Sequence, residues 1–309
     1  MKLLPRPSDD ESVTIQPRHR HALPFTAVAI GLAAAGVAVP VVFGVRLHAA
    51  GLAEAVLGSL LLVSCSALAL NGSRPTPLPA RRAVKAVLAT TAANAVTPAG
   101  IGGAALMLRL HKKSGLTNEQ ATAATALRTA FAALTGVLTA ATVAGTVGTR
   151  HLPTRQVGIA ALVLLFTLFA LATVPSLRRK VIGAVRRLGA ALVDVLRRPR
   201  CLASLVVGCL GVAVAQVLTL QGAVSAVGGH LAWPELLAAL VGSAAARSAV
   251  PSPGGVGPIE AALIGGLTTM GLGLGAASVA VAIYRTAGHW LPVGGGVLSA
   301  RALRTRHLL

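Results

Sequence analysis

The 309-residue chain carries 28 Lys and Arg against 8 Asp and Glu, a net charge of +20. That balance alone suggests a nucleic-acid partner, yet only 12% of residues are charged, 54% are hydrophobic and the mean hydropathy is +0.76. A soluble domain carries about 25% charged residues, so the composition excludes a nucleic-acid binder, a disordered chain and a collagenous fibre, and describes a protein dissolved in a bilayer.

Residues 1–22 read as a disordered basic tail with a small acidic cluster at Asp9, Asp10 and Glu11. The first apolar run follows this tail and is too long for a signal-peptide core. From His21 to Val45, and again from Ala55 to Ser73, there is no Asp, Glu, Lys or Arg. A spanning helix needs about 20 apolar residues, so these are the first two spans. Further spans are expected near 117–148, 156–177, 201–227 and 276–300. Pro292 and Gly294 to Gly296 are expected to kink the last. Between 178 and 199, Val181, Val185, Leu188, Leu192 and Val195 recur at helical spacing among Arg residues, the pattern of an amphipathic helix on the inner leaflet. An orientation-setting basic loop explains its charges equally well.

Two apolar regions, about 81–112 and 234–271, are broken in the middle. The first contains Asn94, Thr97, Pro98, Gly100, Gly102 and Gly103, and the second Pro251, Ser252, Pro253, Gly254, Gly255, Gly257 and Pro258, followed by Glu260. Pro lacks an N–H and Gly is a poor helix former, so each is expected to be a re-entrant hairpin, tolerated at membrane depth only where protein or a polar cavity covers it. With both hairpins returning to their side of origin, twenty-two of the 28 Lys and Arg fall on the side of the termini, and only Arg46, Arg150 and Arg155 on the other. The positive-inside rule then puts both termini in the cytoplasm. The expected fold is an all-α membrane bundle of six spans and two hairpins, its membrane domain covering 23–305.

The two tips match. Thr97-Pro98-Ala99-Gly100-Ile101-Gly102 aligns with Ser252-Pro253-Gly254-Gly255-Val256-Gly257, and each is followed by an Arg-Thr-Ala triplet, at Arg128 and Arg285. Repeat halves of about 81–148 and 234–300 result, entering from opposite sides as an inverted repeat of the kind transporters use.

Three Arg lie within apolar segments: Arg128, Arg247 and Arg285. Arg128 sits roughly 13 Å into its span at the helical rise. Each such Arg costs at least about 2.5 kcal/mol on insertion scales and needs a partner or a wet cavity. Glu260, just after the second Pro/Gly tip, is the expected partner, while Glu54 and Glu235 belong to outer ends. One reading is an Arg–Glu pair that locks the bundle. The other is an anionic ligand on the surplus charge, helped by half-helix N-termini at Gly100 and Gly255. Asn94, Thr97 and Ser252 supply ligand hydrogen bonds in that reading and ordinary helix caps in the plainer one. His289 reads as a packed donor. Cys65, Cys201 and Cys209 form neither a disulfide framework nor a metal motif, and no cofactor, metal or catalytic motif is present in the sequence.

The segment Asn94 to Gly103 with Arg128, and the segment Pro253 to Glu260 with Tyr284, Arg285 and Pro292, resemble the two signatures of the lysylphosphatidylglycerol synthase transmembrane, flippase-like family, over about residues 25–305. The resemblance implies a membrane domain that translocates a phospholipid or lipid-linked substrate across the cytoplasmic membrane, with anionic or aminoacylated phospholipid as partner. The sequence departs from the full synthases of that family, whose fused aminoacyl-transferase it is expected to lack, so a non-transporting lipid-binding partner or scaffold of a separate transferase is the alternative. By position the resemblance points to Asn94, Pro98, Gly100, Gly102, Arg128, Pro253, Gly254, Gly255, Gly257, Glu260 and Arg285. A membrane enzyme acting on a lipid-linked sugar is disfavoured by the scarcity of buried acids and His.

Overall fold

The computed structural model describes residues 44–97, 101–147, 197–250 and 252–304, with single positions between 183 and 195. The tail 1–22, most of the first run, the tip residues Pro98 and Gly100, the 156–177 run and most of 178–199 lie outside these. The described residues are helical: α1 (Ala49–Gly72), α2 (Ala80–Val96), α3 (Ile101–Lys113), α4 (Asn118–Val147), α5 (Pro199–Ala226), α6 (Trp233–Ala249), α7 (Pro258–Thr269), α8 (Leu274–Arg285) and α9 (Leu291–Arg304). A 3-10 turn at Pro253–Gly255 precedes α7, and a π-turn at Thr286–Trp290 joins α8 to α9. Three of them, α1, α4 and α5, are long and apolar enough to cross a membrane. They match the expected runs near 55–73, 117–148 and 201–227.

α1 and α5 pack antiparallel with their backbones in contact along the whole pair, because small residues face each other in one constant register. A Cβ on Gly51 would lie 2.2 Å from the Ala226 nitrogen, one on Gly222 2.3 Å from that of Ala55, one on Gly208 2.4 Å from that of Ala69, and one on Gly72 2.3 Å from that of Leu205. This is the membrane form of close packing, in which small residues let dispersion contacts form over long stretches. The outward faces of the pair carry Leu57, Leu60, Val207 and Leu210, all exposed.

α2 and α3 form a helical hairpin. Ala83 and Ala86 near the start of α2 share one apolar cluster with Met107 and Leu110 near the end of α3 and with Leu70 of α1. The base of this hairpin therefore sits at the Gly72 end of α1. α6 and α7 form a second hairpin, in which Leu236 near the start of α6 packs with Leu267 near the end of α7, with Ala226 and with Ala55. Its base sits at the opposite end of the α1–α5 pair. Leu192 and Val195, two of the apolar positions in the basic 178–199 stretch, pack with Leu127, Ala69 and Leu205.

Arg74, which the sequence places among the loop charges on the side of the termini, is not solvated. It is only 1% exposed. Pro75, Pro77 and Pro79 turn the chain back, and Asn71 pins that loop through both its Nδ2 to the Leu78 carbonyl and its Oδ1 from the Leu78 N–H. The Arg74 guanidinium then donates to the Thr76 carbonyl and to His111 Nδ1 at the end of α3. Arg198, at the start of α5, donates to the Pro75 carbonyl at 3.0 Å. One loop thus ties the ends of α1, α3 and α5 together.

Candidate functional site

The two hairpin tips meet. A Cβ on Gly254, in the second tip, would lie 3.3 Å from the carbonyl oxygen of Ala95, the residue just before the first tip, and 3.6 Å from His289 Nε2. Gly254 has φ +62°, Gly255 +70° and Gly257 +97°. These left-handed conformations strain any residue with a Cβ, which is why the Pro/Gly cluster forms a tight turn. Pro253 opens the 3-10 turn, and Ser252 Oγ donates to the Val256 carbonyl, a local cap.

At the first tip, the N–H groups opening α3 are already engaged. Gly102 N–H donates to Thr97 Oγ1 at 2.9 Å and Gly103 N–H to Asn94 Oδ1 at 2.8 Å. Gly103 has no alternative, since a Cβ there would sit 2.1 Å from Asn94 Oδ1. Asn94 and Thr97 therefore serve as the caps of a broken helix, the plainer of the two readings of these residues.

Glu260 ties together α7, the second tip and α8. It accepts the Gly257 N–H at 2.7 Å, capping its own helix, and the Arg285 Nε–H at 2.6 Å. Arg285, with 8% of its side chain exposed, also donates to the Gly254 carbonyl at 2.8 Å and lies 5.7 Å over the Trp290 ring. The pairing of Arg285 with Glu260, expected from sequence, is present. Two short bonds to a carboxylate of which 28% is exposed make a charge-assisted brace open to solvent on one side.

Beside this brace is a cavity of about 180 Å³, lined by Arg247, Arg285, Tyr284, His289, Gln216 and Ser243 among others. Arg247, in the last turn of α6, is exposed rather than buried. His289 Nε2 is buried and has no hydrogen-bond partner among the described residues. Gln216 and Ser243 line this cavity without being marked by the sequence, which reads His289 only as a packed donor. An isolated polar residue in a membrane helix was the available signal, but nothing in the sequence says which of them face one cavity.

Arg128 belongs to a different group. The adjacent Leu127 packs with Ala69, Leu205 and Cys209. The cavity lies at the level of Thr219, about 15 Å further along α5 at the helical rise. The described residues thus bring Arg247, Arg285 and Glu260 together and leave Arg128 apart. His111, buried in the last turn of α3, is held neutral: burial, then the positive charges of Arg74 and Arg128, push its pKa down to about 4.

Spanning helices that pack through glycine, and two broken hairpins meeting beside a cationic cavity, define a polytopic α-helical membrane protein. The chain belongs to the lysylphosphatidylglycerol synthase TM region family, whose model matches residues 25–296. No curated protein matches it.

Proposed function

We propose that the protein translocates a phospholipid or lipid-linked substrate across the cytoplasmic membrane, with the headgroup phosphate passing through the cavity between the hairpin tips. The observation that carries the reading is the charge around that cavity. Arg247 and Arg285 face it, Glu260 is the acid that answers them, and one positive charge is left over. An unbalanced cation at membrane depth is stable only against an anion or water, and a surplus of one suits a singly charged phosphodiester. The cavity has room for a headgroup and none for acyl chains, which would stay in the bilayer. Arg128, apart from the cavity, is a third cation on the route. Glu260 holds Arg285 when the cavity is empty and meets a cationic headgroup when it is loaded.

The hairpins support alternating access in the same way. Their bases lie at opposite ends of the α1–α5 pair and their tips touch at Ala95 and Gly254, the arrangement that two re-entrant hairpins of an inverted repeat (about 81–148 and 234–300) would have. With both termini cytoplasmic, the first opens from inside and the second from outside. One observation favours a second reading: Arg285 is engaged through Nε by Glu260 and through Nη2 by Gly254, as a structural brace would be. In that case the protein is a lipid-binding partner of a separate transferase.

Fluorescent phospholipid flipping in proteoliposomes tests the choice. Arg247→Gln, Arg285→Ala and Glu260→Ala each abolish flipping if the cavity carries the headgroup. Unchanged flipping in all three, at equal reconstitution, would remove the mechanism, and a wild-type protein that binds lipid without flipping it leaves the partner reading.

A further inference from the structure

The π-turn between α8 and α9 is dictated by two residues far apart in sequence. In an α-helix each carbonyl accepts from the N–H four residues on. Pro292 has no N–H, so the carbonyl of Gly288 loses that donor. The helix responds with one wide turn, in which the Leu291 N–H donates to the Thr286 carbonyl, five residues back. The Ala287 carbonyl would then look to residue 292, which again is Pro292. Its donor comes instead from α1, where Ser59 Oγ–H bonds to it at 2.6 Å across 228 residues. Ser59 is 5% exposed in an apolar span, where a hydroxyl is disfavoured unless it makes such a bond.

The turn faces the cavity. Tyr284, Arg285, Gly288 and His289 all line it. His289 packs edge-on against Trp290, with ring centroids 4.8 Å apart at 80°, and the same Trp290 lies under Arg285. The imidazole and the guanidinium are thereby oriented together, and the Nε2 that Gly254 approaches has no partner of its own among the described residues. π-turns of this kind are frequent at functional sites because they re-aim side chains without ending the helix.

We propose that His289 is a specificity-determining residue that hydrogen-bonds a hydroxyl of the headgroup, and that Ser59 and Pro292 are positioning residues that hold it in the cavity through the π-turn. This rests on the cavity being the headgroup site. The two Arg answer the phosphate charge, and the unpartnered ring nitrogen distinguishes what is esterified to it. A site built to hydrogen-bond a hydroxyl discriminates strongly against the analogue lacking it.

The test uses the full chain in nanodiscs and two lipids of equal charge, phosphatidylglycerol, whose headgroup has hydroxyls, and phosphatidylmethanol, whose headgroup has none. Wild type binds phosphatidylglycerol at least several-fold more tightly. His289→Ala and Ser59→Ala bind both lipids equally, whereas His289→Gln and Ser59→Thr, which keep a hydrogen-bonding group, retain most of the preference. Equal binding of the two lipids by wild type, or an unchanged preference in His289→Ala, overturns the role of His289. Preference lost in His289→Ala but kept in Ser59→Ala overturns the positioning role. Binding that persists for both lipids in an Arg247→Gln, Arg285→Gln double variant instead overturns the cavity as headgroup site, a separate outcome.

Discussion

At the scale of single residues, the Arg285–Glu260 brace and the Arg74–His111 contact make different demands. Arg285→Gln leaves the Glu260 carboxylate short of a cation and the Gly254 carbonyl short of a donor. Removing one partner of a buried pair costs 3–5 kcal/mol, and less where water reaches it; with 28% of Glu260 exposed, about 2 kcal/mol is expected. Chemical unfolding in detergent measures it, and adding Glu260→Gln recovers part of the loss because no charge is then stranded. His111 gives a pH dependence. Its folded pKa, about 4, lies below the ordinary 6.5. The unfolded chain therefore binds more protons between these values, and the contribution of a neutral His111 is present above pH 6.5 and lost as pH falls toward 4. The loss is at most about 1.4 kcal/mol per pH unit. Melting temperature measured from pH 7.5 to 5 should fall in wild type and fall less in His111→Asn. Arg74 was not legible as a partner of His111: adjacent to three prolines it reads as a loop charge, and only the bond pattern of that loop turns it inward.

At the scale of elements, the glycines separate into two kinds. Gly208→Val drives a side chain into the backbone of α1 at Ala69 and is expected to prevent the α1–α5 pair from forming. Gly136, in α4, has nothing within 4 Å of its would-be Cβ among the described residues. Gly136→Ala should therefore stabilise the protein by roughly 0.5–1 kcal/mol through helix propensity alone. Thermal unfolding in detergent separates the two outcomes. Sequence could locate α1, α4 and α5, because an uncharged run of sufficient length leaves a helix little alternative in a bilayer. It could also locate both breaks, because Pro and Gly act locally. It could not place the π-turn, whose stabilising hydroxyl comes from Ser59 on another helix. It could not choose between free and capped N–H groups at the first tip for the same reason, since Asn94 and Thr97 fold back onto them only once the hairpin closes.

At the scale of the whole molecule, the opposed hairpins predict sidedness. In a background lacking Cys65, Cys201 and Cys209, Thr76→Cys and Ser114→Cys mark the base of the first hairpin, and His230→Cys and Gly271→Cys that of the second. A membrane-impermeant thiol reagent applied to whole cells should label the last two and spare the first two. Labelling of both pairs alike would show that the hairpins do not enter from opposite faces. The backbone-to-backbone pairing of α1 with α5 also bears on how the protein is made. α1 emerges from the ribosome well over a hundred residues before α5, an interval of roughly ten seconds at 5–20 residues per second. During that time Gly51, Gly58 and Gly72 present an unfilled groove to lipid or to the insertion machinery. Nascent chains halted before Pro199 should therefore crosslink through that face of α1 to an insertase or membrane chaperone, and chains halted after Ala226 should not. Biogenesis of the molecule is then paced by the tightest helix interface among the described residues.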